Sequence, residues 1–200
     1  MPERLLRVLL LEQSERDAAL VTEELNGMSE TVVVERIDTE EELEAALAAF
    51  AADVILADRS RGRREAVFPY STVRALRPAA PVIMLANGLD EETFVTFMRD
   101  GPDDLVLKSN IGRLRPAITS AIEARKPLTR LSPRQVEVLM LVANGRSTRE
   151  IADRFGLSVK TVESHRGAMM KRLGLHDIAA LVRYAIRMSL VPSGKFDRVQ

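Results

Sequence analysis

Four residues able to do chemistry stand where apolar runs stop. Glu12 and Gln13 follow Leu5–Leu11, Asp58 follows Val54–Ala57, and Lys108 follows Leu105–Leu107. A carboxylate can act as a nucleophile, carboxylate oxygens suit Mg²⁺, and an ammonium can hold a phosphoryl oxygen. Two carboxylates and a lysine meeting in one cleft would suit phosphoryl chemistry, with Glu12 and Asp58 the candidate metal ligands. Solvated loops with incidental ion pairs would need the same residues, so the elements that position them must decide. A second group lies in SVKTVESHRGAMMKRLG, where Lys160, Arg166, Lys171 and Arg172 line a helical stretch with positive charge.

Composition narrows the chemistry. The chain of 200 residues has no cysteine, which excludes disulfides, thiolate metal sites and cysteine nucleophiles. With only His165 and His176, a histidine-rich metal site is excluded too. No stretch reaches the roughly 18 apolar residues of a membrane span, and no secretion signal is recognisable. The expectation is a soluble cytoplasmic protein without a membrane partner. The net charge of zero conceals two opposed halves. Residues 1–125 carry 15 Lys+Arg against 23 Asp+Glu, and residues 126–200 carry 14 against 6. The basic half is the candidate for nucleic acid.

Through residue 125, short apolar runs alternate with helical patterns. Strands are expected at 5–11, 32–37, 54–57, 82–86 and 105–107, and helices near 14–26, 39–52 (capped by Thr39), 64–77, 90–100 and 111–124. Five strand–helix units imply a doubly wound parallel sheet with helices on both faces. With strand order 2-1-3-4-5, the loops carrying Glu12, Asp58 and Lys108 converge at the switch point.

KPLTR at 126–130 breaks the pattern, and residues 126–131 read as a linker. Residues 132–200 carry no strand pattern. Four helices are expected there, near 132–143, 148–155, 158–173 and 177–189. Val136, Leu139, Met140 and Ala143 give the first one buried stripe. The second and third, joined at Phe155–Ser158, have helix-turn-helix spacing. The third presents Lys160, Thr161, Glu163, Ser164, His165, Arg166 and Gly167 outward and turns Val162 and Met169 inward. A helix of this kind fits the major groove. Spacing alone is equally consistent with an ordinary bundle carrying solvated charges.

The segment Leu131–Val191 resembles a LuxR-type helix-turn-helix domain along its full length. The resemblance is carried by Pro133-Arg134, Glu137-Val138-Leu139, Gly145, Ile151-Ala152, Ser158 with Lys160-Thr161-Val162, His165, Lys171 and Leu173-Gly174. It implies that Glu163, Ser164 and Gly167 face bases, and that Lys160, Thr161, His165 and Lys171 lie at the phosphate backbone of double-stranded DNA. Glu163 could then accept from cytosine N4. Gln135 stands where glutamate is common. The family's dimerisation points to a stripe of Leu181, Tyr184, Ala185 and Met188, leaving Ile178, Val182 and Ile186 to the core.

Residues 4–124 resemble a response-regulator receiver domain, a flavodoxin-like fold. ADVILAD puts Asp58 at the family's phosphoacceptor position and GPDDLVLKS puts Lys108 at its lysine. The whole chain thus resembles a two-component response regulator of the NarL/FixJ type. Several positions depart from that pattern. Gln13 replaces an acidic residue and Glu12 is longer than the usual aspartate. Ala86 replaces the Ser/Thr that bonds the phosphoryl group, Leu105 the aromatic switch residue, and Ser109 a common proline. A neutral Gln13 weakens Mg²⁺ binding, and Ala86 couples less phosphorylation energy to any rearrangement. Arg59, Arg61, Arg63 and Arg64 follow Asp58, and one guanidinium could take the metal's place.

The expectation is therefore a non-enzymatic, DNA-binding transcriptional regulator with a degenerate receiver. It is controlled by dimerisation or a protein partner, with phosphorylation at Asp58 by a histidine kinase as the alternative. A nucleotide- or flavin-binding enzyme would leave a glycine-rich phosphate loop, and neither G-x-x-x-x-G-K-[ST] nor G-x-G-x-x-G after a strand is present.

Overall fold

The computed structural model describes residues 5–39, 41–58, 69–88, 91, 94–95 and 101–191. The chain divides into two units, Met1–Ala124 and Arg125–Gln200.

The amino-terminal unit is built on five strands: β1 (Leu5–Leu11), β2 (Thr31–Ile37), β3 (Val54–Asp58), β4 (Val82–Ala86) and β5 (Asp104–Leu107). All pairings are parallel and the order is β2-β1-β3-β4-β5, as the alternating pattern required. Helices α1 (Glu15–Leu25), α2 (Leu43–Ala49), α3 (Tyr70–Leu76) and α4 (Leu114–Arg125) cover the sheet. Alternate residues of β1 and β3 enter two separate cores, because successive side chains of a strand point to opposite faces. Val8, Leu10, Val54 and Leu56 pack with Val21, Leu25 and Ile118 from α1 and α4. Leu9, Leu11, Ile55 and Ala57 pack with Leu43, Leu47 and Val73 from α2 and α3. Burial on both faces explains why these strands are continuous apolar runs.

Some boundaries differ from the sequence expectation. The second helix starts at Leu43, with Glu42 at its N-cap and no side-chain cap, so Thr39 does not open it. Lys108–Arg113 forms a 3₁₀ turn before α4, kinked at Asn110, where one helix from Ile111 was expected. Arg113 closes that turn onto β5 through both Asp104 carboxylate oxygens at 2.8 and 2.9 Å. Most of the expected 90–100 helix, and residues 59–68, lie outside the described residues; 91 and 94–95 are helical.

In the carboxy-terminal unit, Lys126–Arg130, expected as a linker, is a 3₁₀ turn that buries Leu128. Four helices follow: α5 (Pro133–Ala143), α6 (Thr148–Phe155), α7 (Val159–Leu173) and α8 (Ile178–Arg187). Their starts are tightly specified. Ser132 with Gln135, and Ser147 with Glu150, form reciprocal capping boxes, while Ser158 and Asp177 cap α7 and α8. Gly156 and Gly174, at φ +63° and +67°, end α6 and α7 in the left-handed conformation that favours glycine. The core comprises Val136, Leu139, Val142, Ala143, Ile151, Val162, Met169, Leu181, Tyr184 and Ala185, with Met140 only half-buried.

The face of α8 is the reverse of the one expected. Leu181, Tyr184 and Ala185 are buried against α5 in their own unit, so they do not form a surface stripe for dimerisation. Ile178 is 44% exposed, and Val182 and Ile186 are half-buried. Met188 closes the helix, and its carbonyl accepts from the buried Arg125 at 2.6 Å.

Candidate functional site

Parallel register brings the first group together. Leu11 pairs with Ala57, so Glu12, just beyond β1, and Asp58, the last residue of β3, are neighbours. Lys108 follows Leu107, whose partner is Ala86 at the end of β4. The lysine Nζ lies 2.7 Å from Glu12 Oε2 and 2.8 Å from Asp58 Oδ1. All three side chains are almost completely buried.

A fourth member was not found from the sequence. Asp17, in the first turn of α1, places Oδ2 2.6 Å from Lys108 Nζ. Local structure holds it there: Ser14 caps α1 by accepting the Asp17 backbone N–H at 3.2 Å, and the Ser14 N–H donates to Glu12 at 2.8 Å. The available signal was an aspartate at the third position of a capped helix, where the helix dipole favours negative charge. Gln13 is exposed, and its backbone carbonyl accepts from Arg36 at 3.1 Å. Ala86 is buried at the end of β4, Leu105 is half-buried in β5 and Ser109 is exposed. The arginines after Asp58 lie outside the described residues. A groove of about 610 Å³, lined in part by Arg16, Asp17, Asn87, Lys108 and Ser109, opens beside the cluster.

The cluster's electrostatics are set by burial and by ion pairing. Burial pushes the Lys108 pKa down, but pairing with Asp17, Asp58 and Glu12 outweighs it and holds the ammonium above the ordinary lysine value. Burial pushes the Glu12 carboxyl up, against hydrogen bonds from Lys108 and Ser14. Glu12 and Asp58 have the oxygen chemistry Mg²⁺ takes, yet the oxygens are gathered around an ammonium nitrogen at 2.6–2.8 Å. Mg–O bonds are about 2.0–2.1 Å in a near-ideal octahedron. Among the described residues, no group of three or more His, Asp or Glu is arranged to hold a metal ion. As arranged, the residues fit the lysine and not a resident Mg²⁺.

The second group lies on α7. Val162 and Met169 are fully buried, which turns Lys160, Glu163, Ser164, Gly167 and Lys171 to solvent along one side. Thr161 and His165 flank them, half-buried. The Ser158 hydroxyl accepts the Thr161 N–H at 3.0 Å and lies 2.8 Å from its hydroxyl, fixing the start of the helix. Two of the cations expected along this face are used internally. Arg166 is half-buried and donates to the Thr148 hydroxyl on α6, and Arg172 donates to Gln135 Oε1. Gln135, 5% exposed, thus caps α5 and receives Arg172 at once. Lys160 and Lys171 carry exposed ammonium-bearing side chains on α7.

The described chain thus has a doubly wound sheet with a charged cluster at its switch point, and a helix-turn-helix unit. Residues 129–185 match the family described as "Bacterial regulatory proteins, luxR family", and the carboxy-terminal unit is a LuxR-type helix-turn-helix domain. The chain is 43% identical over 65 residues to the oxygen regulatory protein NreC of Staphylococcus aureus strain JH9. That match covers 32% of this chain and 30% of the relative's length. Full-length FixJ from B. japonicum has a TM-score of 0.50 at 20% identity, covering 92% of this chain and 98% of that one. The RcsB chain of a structure of two RcsB dimers bound to two parallel DNAs gives 0.51 at 23%, covering 90% and 98%. These two likenesses are of fold. No described helix is long and apolar enough to cross a membrane.

Proposed function

We propose that this protein is a transcriptional regulator that binds double-stranded DNA through α7 and acts in the cytoplasm without catalysing a reaction of its own. The observation that carries this reading is the exposed side of α7, where Lys160, Glu163, Ser164, Gly167 and Lys171 stand clear of a core filled by Val162 and Met169. Lys160, Thr161, His165 and Lys171 bind phosphates. Glu163 reads a base edge, and Ser164 and Gly167 lie against the groove floor. With few side chains able to read bases directly, DNA shape supplies part of the specificity.

In this reading the amino-terminal unit is a degenerate receiver. Gln13 offers only a neutral carbonyl where a carboxylate would attract metal, and Ala86 and Leu105 lack the group that would hold a phosphoryl oxygen or swing as an aromatic switch. Control therefore comes through homodimerisation or a regulatory protein. Genome-wide mapping of bound sites for wild type and Asp58→Asn tests both parts. Specific sites occupied equally by the two proteins are the expected result. Absence of any specific site would overturn DNA binding, and loss of occupancy in Asp58→Asn would overturn phosphorylation-independent control.

One observation favours a second reading, in which a histidine kinase phosphorylates Asp58: the carboxylate stands 2.8 Å from Lys108 at the end of β3. Acetyl phosphate treatment separates the two. An acid-labile mass gain, lost in Asp58→Asn and accompanied by dimerisation or tighter DNA binding, would select the phosphorylation-driven regulator.

A further inference from the structure

We propose that Lys108 is the built-in cation of the acidic pocket, standing where a divalent metal would stand, and that Asp17 is the positioning residue that keeps it there. An ammonium has three donors and no acceptor. Here three carboxylates, Glu12, Asp17 and Asp58, lie 2.6–2.8 Å from the lysine nitrogen. These are charge-assisted hydrogen-bond distances, longer than Mg–O bonds of about 2.0–2.1 Å. Among the described residues the pocket thus gathers three carboxylates around one ammonium, with the Glu12 and Lys108 side chains 1% and 5% exposed. Buried carboxylates in such numbers require a cation, and the chain supplies its own.

Asp17 explains why the lysine stays. Gln13 contributes no charge, so the loop after β1 offers Lys108 only Glu12. Asp17 supplies the missing carboxylate from α1, one helical turn further along the chain, and its side chain is 24% exposed on the groove side. Its backbone is fixed by the Ser14 cap, so its carboxylate meets Lys108 at little further entropic cost. The amino-terminal unit is then set without metal, and the inference stands whether or not α7 binds DNA.

The test uses the full chain and two readouts. Wild type should unfold at the same temperature with and without millimolar MgCl₂. Lys108→Met should unfold roughly 10 °C lower and regain much of that loss when MgCl₂ is added, because carboxylates that have lost the lysine then accept a free cation. Wild-type stabilisation by Mg²⁺ equal to that of the variant would overturn the built-in cation.

The second readout is acylation of lysines at mildly alkaline pH, followed by peptide mass mapping, with exposed Lys160 and Lys171 as internal references. Lys108 should be protected in wild type, labelled at least about tenfold faster in Asp17→Asn, and protected again in Asp17→Glu. Unchanged labelling in Asp17→Asn would overturn the role of Asp17. Should Lys108→Met fail to fold, the labelling comparison and the wild-type Mg²⁺ titration still decide the matter.

Discussion

In the amino-terminal unit two groups of ionic side chains are buried. Lys108 is enclosed by three carboxylates, and Arg74, 2% exposed, bonds the Ala80 carbonyl at 3.0 Å and Asp103 at 2.9 Å. In the carboxy-terminal unit helix caps and the bonds of Arg166 and Arg172 to Thr148 and Gln135 hold the helices, while Lys160, Glu163 and Lys171 are left in water. The difference separates two uses of charge. A buried ion pair costs much to break and conveys nothing to a partner, whereas an exposed ion contributes little to stability and is available for recognition. Substitutions should therefore sort by unit: large stability effects with DNA binding intact in the first, small stability effects with DNA binding altered in the second.

The largest effect is expected at Arg74. Arg74→Met removes the partner of Asp103, whose carboxylate also receives the Val82 N–H at 2.8 Å. Breaking a buried pair from one side costs about 3–5 kcal/mol. Thermal unfolding of the amino-terminal unit should shift down accordingly, and DNA affinity measured well below that transition should not change. A shift confined to DNA binding would break the contrast between the units.

Next in size is Glu163→Ala. The residue is exposed, so stability should hold. A direct base contact discriminates by about 1–3 kcal/mol, so selection from randomised duplexes should show relaxed preference at one base pair per half-site. Uniform weakening over all sequences would place Glu163 away from the groove floor. Lys160→Ala is the complementary case. It should weaken binding to every sequence and lower the slope of log affinity against log salt by roughly one. A salt titration of wild type and variant checks this.

These expectations depend unevenly on what the sequence makes legible. The strands β1, β3 and β4 were readable because strands buried on both faces are nearly unbroken apolar runs, the partly exposed β2 and β5 from shorter apolar stretches, and Glu12, Asp58 and Lys108 followed from where those runs stop. Asp17 was not readable. Its meeting with Lys108 depends on how the first turn of α1 leans over the end of β5, 91 residues away in the chain. The two faces of α8 could not be told apart because Ile178, Leu181, Val182, Tyr184, Ala185 and Ile186 cover more than one stripe. Packing against α5 made the choice that period alone could not. Arg166 misled for a different reason. A long side chain at an outward position can reach back across a helix pair, and here it finds the Thr148 hydroxyl.

The smallest effect expected is also the one that separates stability from recognition most sharply. Gly167 lies in the interior of a 15-residue helix, where glycine costs up to about 1 kcal/mol relative to alanine. A Cβ built on it meets nothing within 4 Å, so nothing described in this chain requires glycine there. It shares the exposed side of α7 with Glu163, Ser164 and Lys171. A residue that weakens its own helix without relieving a contact is explained if the constraint lies in the partner, whose surface approaches the helix backbone. Gly167→Ala should therefore raise the unfolding temperature of the carboxy-terminal unit slightly while lowering affinity for specific DNA. Calorimetry and a binding titration on the same preparation decide it. Stability and affinity rising together would mean that the groove leaves room for a side chain and that the glycine only weakens α7.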